Sequence, residues 1–401
     1  MDKASIKDVD VKGKRALVRV DFNVPLDEKS GGIIDDSRIR AALPTIKYLM
    51  DKSAKTILAS HLGRPDGKVV ETMRMAPVAK RLSSLLGREV GTAKDCVGPE
   101  AEESAARLKD GDVLLLENLR FHTEEEANGP AFAEALAKVA DLFVDDAFGT
   151  AHRKHASIVG VTKYLPSVAG LLMERELTML RGLLENPQHP FCALLGGAKI
   201  SDKVTLVRSI MSKIDLVLIG GGMAATFLRG KGLSVGQSLV EEDRVGTASQ
   251  IMKEAESRNV RLLLPPDVVV ADKTSPDAMP QVVPSDGVPS NMKIVDIGPK
   301  SISVFQEQLK GCKTVFWNGP MGIYEIPKFA QGTKALATTL AGLKATTVIG
   351  GGSTADIVTE LGLQDKMSFV STGGGASLSF LSGEKLPGVE ALMDRKAARA
   401  R

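Results

Sequence analysis

Short, continuously apolar runs recur along the chain, and each is followed by a turn signal and a segment with helical spacing. In the first half, these runs lie at residues 16–20, 55–60, 112–118 and 141–146. In the second half, they lie at residues 191–197, 215–222, 260–266, 314–320, 346–352 and 368–375. Continuous apolar character is typical of strands that are buried on both faces of a parallel sheet. The pattern therefore predicts an α/β protein with parallel β-sheets covered by helices.

The length of the chain predicts two domains, because 401 residues exceed what one hydrophobic core usually supports. Residues 165–190 have a helical period and begin and end near proline, so they predict a stiff connecting helix at 169–186. The domains on either side of it are predicted at 1–168 and 187–383. The segment 37–53 has an apolar stripe, and Pro44 leaves open a kink or a late helix start there.

Composition excludes several classes of protein. The 52 basic and 49 acidic residues leave a net charge of only +3, which is too small for a nucleic-acid coat. The N-terminus is charged from its second residue, and no apolar run reaches the length of about 18 residues that a membrane span needs. Cys96, Cys192 and Cys312 lie far apart and lack metal-ligand spacing. A reduced cytosolic enzyme or binding protein, without nucleic-acid or membrane partners, is expected.

Glycine is frequent, and its positions indicate a ligand site in the second half. Of the 39 glycines, three in a row follow predicted strands at 220–222, 350–352 and 373–375, with a related pair at 196–197. Ligands of open α/β sheets bind beyond the carboxyl ends of the strands, where glycine lets backbone N–H groups approach a phosphate. Because the first half lacks such turns, the second half is predicted to bind the nucleotide.

Two known types of nucleotide site can be compared with these turns. The P-loop pattern is absent. The dinucleotide pattern G-x-G-x-x-A occurs at 220–225 and 350–355, and Glu241 and Asp243 follow the first match after about 20 residues. Neither match lies in the first strand–helix turn of its domain, where that pattern belongs. An NAD-dependent oxidoreductase is therefore kept only as an alternative.

Lysine and arginine residues lie at the predicted N-termini of helices, where the helix dipole disfavours a positive charge. Lys199 and Lys203 are spaced i, i+4 at the predicted start of a helix, directly after the glycines at 196–197. The positive end of a helix disfavours a lysine unless an anion binds there. A pair of solvated surface lysines is the alternative interpretation. Arg38, in the opening turn of the segment 37–53, raises the same question in the first half.

Further polar residues of the first half lie directly after its predicted strands. Strand ends of a parallel sheet meet at one edge, so these side chains can line one pocket. Arginine binds carboxylate and phosphate groups with a planar fork, which favours a small polyanion. The set is Asp21, Asn23, Arg38, His61, Arg64, Arg120 and Arg153. No role is assigned to His122, His152, His155 or His189, and the acidic clusters at 124–126 and 145–146 are interpreted as solvated turns.

The sequence resembles the phosphoglycerate kinase family over essentially its whole length. The segments RVDFNVP, SHLGRP, LLENLRF, DDAFGTAHR, LGGAKISDK, GGGMAATFL, FWNGPMGIYE and STGGGASL occur in that family's order. The resemblance implies two Rossmann-like domains joined by an interdomain helix and a hinge, with a tail at about 384–401 that returns to the N-terminal domain. It also implies a monomeric cytosolic kinase of glycolysis. Its N-terminal domain would bind 3-phosphoglycerate or 1,3-bisphosphoglycerate, and its C-terminal domain would bind ATP or ADP with Mg²⁺.

The resemblance also assigns site residues by position. It places the acceptor substrate on Asp21, Phe22, Asn23, Arg38, His61, Leu62, Gly63, Arg64, Arg120 and Arg153. It places the nucleotide on Gly197, Lys199, Lys203, Gly221, Gly298, Asn318, Glu325, Gly350, Gly351, Gly352, Ser353 and Thr354. The candidates for stabilising the transferring phosphoryl group are Arg38, Lys199, Gly373 and Gly374. Ser353 stands where the family usually has an Asp that helps hold magnesium, so the residue that binds the metal is not assigned. The loss of this Asp also keeps a catalytically silent nucleotide-binding homologue as an alternative.

Overall fold

The computed structural model describes residues 2–27 and 29–398. The chain divides into two compact units. The described residues of unit 1 are 2–27, 29–178 and 385–398, and those of unit 2 are 179–384. Each unit contains a parallel sheet of six strands flanked by helices, so the predicted fold class is confirmed. No helix within the described residues is long and apolar enough to cross a membrane.

The strands of unit 1 follow the apolar runs of the first half. They are β1 (Arg15–Arg19), β2 (Lys55–Ala59), β3 (Gly91–Thr92), β4 (Val113–Leu115), β5 (Leu142–Asp145) and β6 (Ser167–Ala169). All pairs are parallel, in the order β3-β4-β2-β1-β5-β6. Val18 and Leu58 pack in one apolar cluster, whereas Leu17 and Phe143 pack in another. Alternate residues of β1 thus enter different cores, which explains the continuous apolar run.

The nine strands of unit 2 form two sheets. They are β7 (Phe191–Leu195), β8 (Leu216–Ile219), β9 (Arg261–Leu263), β10 (Asp267–Ala271), β11 (Gln281–Pro284), β12 (Lys293–Ile297), β13 (Thr314–Asn318), β14 (Thr346–Gly350) and β15 (Phe369–Val370). The parallel sheet has the order β15-β14-β13-β7-β8-β9. The antiparallel sheet, β11-β10-β12, was not predicted. Its edge strand β11 is largely exposed, so it lacks the continuous apolar run of a strand buried on both faces.

The helices pack on these sheets. In chain order they are α1 (Ser37–Asp51), α2 (Ala76–Leu86), α3 (Pro99–Ala106), α4 (Thr123–Glu126), α5 (Pro130–Ala137), α6 (Leu171–Glu185), α7 (Val204–Ile210), α8 (Met223–Gly230), α9 (Val245–Ser257), α10 (Pro299–Lys310), α11 (Gln331–Ala341), α12 (Gly352–Glu360), α13 (Gly375–Leu381), α14 (Pro387–Glu390) and α15 (Arg395–Ala398). The first helix, α1, runs through Pro44 without interruption. Ile39 and Ile46 on its buried face are fully enclosed, and this packing offsets the hydrogen bond that proline removes.

Asp146 holds the start of the connecting helix α6. Its Oδ1 accepts hydrogen bonds from the backbone N–H groups of Leu172 (2.9 Å) and Met173 (3.3 Å), which have no acceptor inside the helix. Asp145 and Asp146 are both buried, so their interpretation as a solvated turn is wrong. Burial raises the pKa of Asp145 to about 6 and that of Asp146 to about 8.

Gly170 must lack a side chain for this contact to form, because a Cβ there would lie 2.1 Å from Asp146 Oδ1. We expect Gly170→Ala to displace the carboxylate and lower the free energy of unfolding by about 1–3 kcal/mol, the cost of unpaired buried groups. Urea denaturation followed by circular dichroism measures this loss. Gly182→Ala in the same helix is the control, since a Cβ there meets no atom within 4 Å. Equal losses in the two variants would contradict the explanation.

Candidate active site

The arginines predicted to share one sheet edge come together around His61 in unit 1. Burial, followed by the charges of Arg19, Arg120, Arg153 and Arg38, holds the pKa of His61 well below its ordinary value. The His61 side chain therefore stays uncharged at neutral pH and is surrounded by cations. These four arginines and His61 are called the arginine site below.

Arg19 is the member of this site that the sequence analysis missed. It ends β1, is 1% exposed, and its Nη2 lies 3.0 Å from Nδ1 of His61. A guanidinium can only donate, so Nδ1 of the neutral ring accepts and Nε2 carries the proton. His61 can therefore offer an N–H to a ligand. A charged residue inside an otherwise apolar run was the signal that could have indicated Arg19.

Hydrogen bonds fix the loops that follow β1, β2 and β4 to one another. Asn23 Oδ1 accepts from the N–H of Gly63 at 2.8 Å, and the carbonyl of Gly63 accepts from Nη1 of Arg120 at 2.8 Å. Asn118, also missed from sequence, accepts from the N–H of Leu62 at 3.2 Å and donates to its carbonyl at 2.8 Å. The position of Arg120 is therefore set by backbone groups of the neighbouring loop.

A buried carboxylate supports Arg19 from inside the fold. Glu125 is fully enclosed and accepts from the N–H (2.9 Å) and the Oγ (2.6 Å) of Ser157, whose Oγ in turn accepts from Nε of Arg19 at 2.9 Å. Although burial acts to raise it, contacts with His155, Arg19 and Ser157 hold the pKa of Glu125 below its ordinary value. The interpretation of this residue as part of a solvated turn is therefore wrong.

Carboxylates compensate only part of the charge that faces the ligand. Asp21 forms an ion pair with Arg38, and Glu126 forms one with Arg120 at 3.0 Å. Within the described residues, the half-buried side chain of Arg153 has no hydrogen-bond or ion-pair partner. The arginine site can therefore accept a further anion.

Other residues of the predicted acceptor set lie in different surroundings. Phe22 and Leu62 are buried in the core, and the N–H of Phe22 donates to Oγ of Ser60 at 2.9 Å. Arg64 is exposed and has no side-chain partner in the part of the chain that the structure describes. The structure thus brings Arg38, His61, Arg120 and Arg153 together, as expected from the parallel sheet, without tying Arg64 to them.

The glycine turns of unit 2 lie at the carboxyl ends of its parallel strands, where the sequence analysis placed them. The N–H of Gly197 donates to the carbonyl of Pro320 (2.8 Å), and that of Gly221 donates to the carbonyl of Met321 (2.9 Å). A Cβ on Gly221, which has φ +65°, would lie 2.6 Å from the carbonyl oxygen of Pro320. The lack of a side chain at Gly221 lets the two turns pack together, and the N–H groups of both Gly197 and Gly221 are occupied within the protein.

A pocket of about 600 Å³ lies against these turns. Apolar wall residues with a few polar groups are typical of small-molecule sites. Three residues of the predicted nucleotide set line it, namely Gly197, Glu325 and Ser353. The lining residues that were not predicted include Gln237, Ser238, Leu239, Thr274, Lys293, Ile294, Val295 and Ile323. Several of these belong to β12, whose antiparallel sheet the sequence analysis missed.

Asn318 holds the turn that follows β14. Its Nδ2 donates to the carbonyl of Gly350 at 2.7 Å, and its buried Oδ1 has no partner among the described residues. Gly351 has φ +89°, and a Cβ there would lie 2.5 Å from Nδ2 of Asn318. A side chain at position 351 would therefore push Asn318 away from the turn.

The first turn of helix α12 is exposed to solvent at residues 352–353. Ser353, in its first turn, is exposed, whereas Thr354 is buried and its Oγ accepts from the N–H of Gly319 at 2.7 Å. The first N–H groups of a helix have no acceptor within it and bind phosphate readily. The first turn contains no acidic residue.

Lys203 is the N-cap residue of α7, whereas Lys199 lies in the loop before it, so the prediction that both lysines open this helix is wrong only for Lys199. The helix begins at Val204. In the loop, the N–H of Ile200 donates to a carboxylate oxygen of Glu241 at 2.6 Å, and this contact replaces a helical hydrogen bond. Lys199 is exposed, and burial lowers the pKa of Lys203. Glu241, one of the two acidic residues of the dinucleotide alternative, therefore accepts hydrogen bonds from this loop.

The remaining predicted glycines have local roles. Gly298 precedes α10, and a Cβ there would lie 2.3 Å from Cγ of Asp267. Gly373 donates its N–H to Oγ of Ser371 at 3.1 Å, and Gly374, with φ +50°, precedes α13.

The chain combines two parallel α/β units, one with four arginines around His61 and one with a pocket beside glycine turns, and its relatives identify it as a two-domain α/β phosphotransferase. Residues 6–384 match the family model "Phosphoglycerate kinase". The phosphoglycerate kinase of Pelotomaculum thermopropionicum is 54% identical over 395 residues, which cover 98% of this chain and 100% of that protein. The phosphoglycerate kinase of Microcystis aeruginosa is 55% identical over 393 residues, which cover 97% and 98%. The chain belongs to the phosphoglycerate kinase family.

Solved structures agree with this family. Phosphoglycerate kinase from Coxiella burnetii has a TM-score of 0.86 at 40% identity, over 97% of this chain and 98% of that chain. The kinase from Pyrococcus horikoshii has a TM-score of 0.86 at 33% identity, over 98% and 100%. The resemblance seen in the sequence is confirmed. The NAD-dependent and catalytically silent alternatives find no support in these comparisons.

The charge on Arg19 should control the titration of His61. Arg19→Gln keeps a donor near Nδ1 but removes the positive charge that disfavours the imidazolium. We therefore expect the pKa of His61 to rise in this variant while remaining lowered by burial. NMR titration of the histidine ring protons, assigned with His61→Gln, measures the change. An unchanged or lower pKa of His61 would contradict this view of the site.

Proposed function

We propose that this phosphoglycerate kinase family member transfers the terminal phosphoryl group of ATP reversibly to the carboxylate of 3-phosphoglycerate, giving 1,3-bisphosphoglycerate and ADP in glycolysis. The observation that carries the proposal is the incompletely compensated arginine site, above all the half-buried Arg153, whose side chain has no partner in the described part of the chain. A ligand with one phosphate and one carboxylate brings about three negative charges at neutral pH. Such a ligand matches both the charge and the forked donors of the arginines.

The proposed nucleotide site is the pocket of unit 2. Leu239, Ile294 and Ile323 offer an apolar wall to a base, and the exposed carboxylate of Glu325 can accept ribose hydroxyls. The phosphates would extend towards Lys199 and the first turn of α12. The occupied N–H groups of Gly197 and Gly221 support a structural role for those glycines beside any contact with the nucleotide.

The chemistry requires no general base. A carboxylate has an ordinary pKa near 4, so the acceptor is already ionised at neutral pH. The protein has to position the two reactants and neutralise charge on the transferring phosphoryl group. We assign that neutralisation to Arg38, Lys199 and the N–H group of Gly374, because the N–H of Gly373 already donates to Oγ of Ser371. Asp21 orients Arg38 through their ion pair.

The other residues of the arginine site would bind the distal part of the acceptor. Arg120 and Arg153 would hold its phosphate together with the exposed Arg64. The Nε2–H of His61, fixed by Arg19, would donate to the phosphate or the hydroxyl. Asn23, whose Oδ1 accepts from Gly63, would keep the two substrate loops in register.

Magnesium fits the nucleotide site mainly through the phosphates. Thr354 Oγ is engaged with Gly319, and the first turn of α12 has no carboxylate, so Ser353 is its one exposed hydroxyl ligand. When bound, Mg²⁺ would neutralise charge on the phosphate oxygens. Because Mg²⁺ commonly keeps several waters, a weak protein ligand suffices.

The proposal also covers the oligomeric state and the cellular location of the enzyme. We infer a monomeric cytoplasmic enzyme, with a hinge near α6 that allows the bound substrates to meet. Neither nucleic acid nor a membrane is a proposed partner. Light scattering on the purified chain tests the oligomeric state.

Arg38 and Arg153 should affect different kinetic parameters. Arg38→Ala is expected to lower kcat by about 100-fold or more, as loss of one electrostatic stabiliser does. Arg153→Ala is expected mainly to raise the KM for 3-phosphoglycerate. Steady-state kinetics in the ATP-consuming direction measures both. Arg40→Ala is the control, because Arg40 lies on the same helix but pairs with Asp36. Equal effects of Arg38→Ala and Arg153→Ala on both parameters would contradict the assignment.

Ser353 should set the magnesium requirement. Ser353→Asp adds a carboxylate at the exposed first turn of α12 and is expected to lower the Mg²⁺ concentration needed for half-maximal activity. It should also tighten Mg²⁺-dependent ADP binding in calorimetry. Ser353→Asn, of similar size but neutral, is the control. Identical magnesium curves for the original chain and Ser353→Asp would refute this role.

A further inference from the structure

Asp95, Cys96 and His122 bring three metal-binding side chains together outside the arginine site. The carboxylate oxygen, the thiol sulfur and the imidazole nitrogen lie within 4.8 Å of one another. Asp95 and Cys96 belong to the loop between β3 and α3, and His122 immediately precedes α4. The sequence analysis found no metal-ligand spacing around the cysteines because these ligands come from two distant loops.

One side chain of the cluster is buried and the other two are partly exposed. Cys96 is 0% exposed, whereas the side chains of His122 and Asp95 are 28% and 47% exposed. Nε2 of His122 lies 2.7 Å from Oδ1 of Asp95, and the N–H of Cys96 donates to the same oxygen at 2.6 Å. The ring of His122 is also fixed by Phe132, at 5.1 Å between ring centroids. The donor atoms are therefore held in place from both loops.

We propose that Asp95, Cys96 and His122 bind Zn²⁺ or a similar divalent ion of borderline softness. Zinc takes sulfur, imidazole nitrogen and carboxylate oxygen as ligands, and three protein ligands leave a fourth position for water. The water would bind on the partly exposed side of the cluster, between Asp95 and His122. A thiolate and a carboxylate balance the double charge of the ion, so the occupied site is neutral.

Binding exchanges protons and hydrogen bonds in a defined way. The thiol proton of Cys96 passes to solvent, and His122 presents the lone pair of Nε2 while its ring proton resides on Nδ1. The thiol has to lose its proton because the thiolate, not the thiol, is the metal ligand. The hydrogen bond between His122 and Asp95 is replaced by one metal bond to each residue. Zinc bonds of about 2.0–2.3 Å place tetrahedral ligand atoms roughly 3.3–3.7 Å apart, so the hydrogen-bonded Nε2 and Oδ1, which lie 2.7 Å apart, have to separate slightly while the sulfur approaches them.

Occupancy would link two loops of unit 1 that come from distant parts of the sequence. His122 follows the turn Leu119–Phe121, which contains Arg120, whereas Asp95 and Cys96 follow β3. A metal bridge between them should raise the melting temperature of the chain. Metal binding here does not depend on the proposed kinase activity, so either proposal can fail alone.

X-ray absorption at the zinc edge tests the ligand set without any substitution. The full, untagged chain is loaded with one equivalent of Zn²⁺. We expect one sulfur at about 2.3 Å and nitrogen or oxygen ligands at about 2.0–2.1 Å. Two sulfurs would indicate the neighbouring thiols of Cys192 and Cys312 and would overturn the proposal. A shell without sulfur, or failure to bind one equivalent, would overturn it as well.

Cobalt titration then assigns the sulfur. Co²⁺ bound to a thiolate gives a charge-transfer absorption band, which Zn²⁺ should abolish by displacement. The band should be lost in Cys96→Ser and should persist in the control Cys312→Ser, and His122→Gln should weaken Co²⁺ binding by about tenfold or more. A band that survives in Cys96→Ser, or that is lost in Cys312→Ser, would contradict the assignment.

Discussion

The parallel pairing of β1 with β2 and β5 is the constraint on which unit 1 depends. It brings Arg19, His61 and the loops that follow them to the same edge of one sheet, although they lie far apart in the chain. Cations gathered in this way repel one another, and the repulsion must be offset. The buried Glu125 and the exposed Glu126 supply part of the compensation, and an anionic ligand would supply the rest. The strand pairing that brings the arginines together therefore also favours the binding of a polyanion.

Unit 2 uses the equivalent sheet edge differently. Its turns contact one another through backbone groups of Gly197 and Gly221, which a side chain at position 221 would separate. The result is a shaped pocket with few fixed charges, in contrast to the arginine site. The first turn of α12 is exposed at Ser353, and the first N–H groups of a helix, which have no acceptor within it, can donate to a phosphate. The arginine site thus follows from parallel strand pairing, whereas the pocket of unit 2 combines turns after parallel strands with residues of β12 from the antiparallel sheet.

Sequence reasoning succeeded where one strong physical rule applied. Runs buried on both faces marked the parallel strands, and the shared edge predicted that Arg38, His61, Arg120 and Arg153 would meet. It failed where tertiary contacts decide. Glu125 is buried by a partnership with Ser157 that no local pattern reveals, and Glu241 takes the place of helical hydrogen bonds beside Lys199. The antiparallel sheet was missed because its edge strand is exposed, and the pocket residues on β12 were missed with it.

The most direct measurement asks which bond the enzyme forms. Purified chain, ATP, Mg²⁺ and 3-phosphoglycerate are incubated with hydroxylamine, which traps acyl phosphates as hydroxamates but leaves phosphate esters intact. The account predicts hydroxamate that requires both substrates and forms together with ADP. It would be contradicted by ADP formation without hydroxamate, or by the absence of any 3-phosphoglycerate-dependent turnover in a chain shown to be folded.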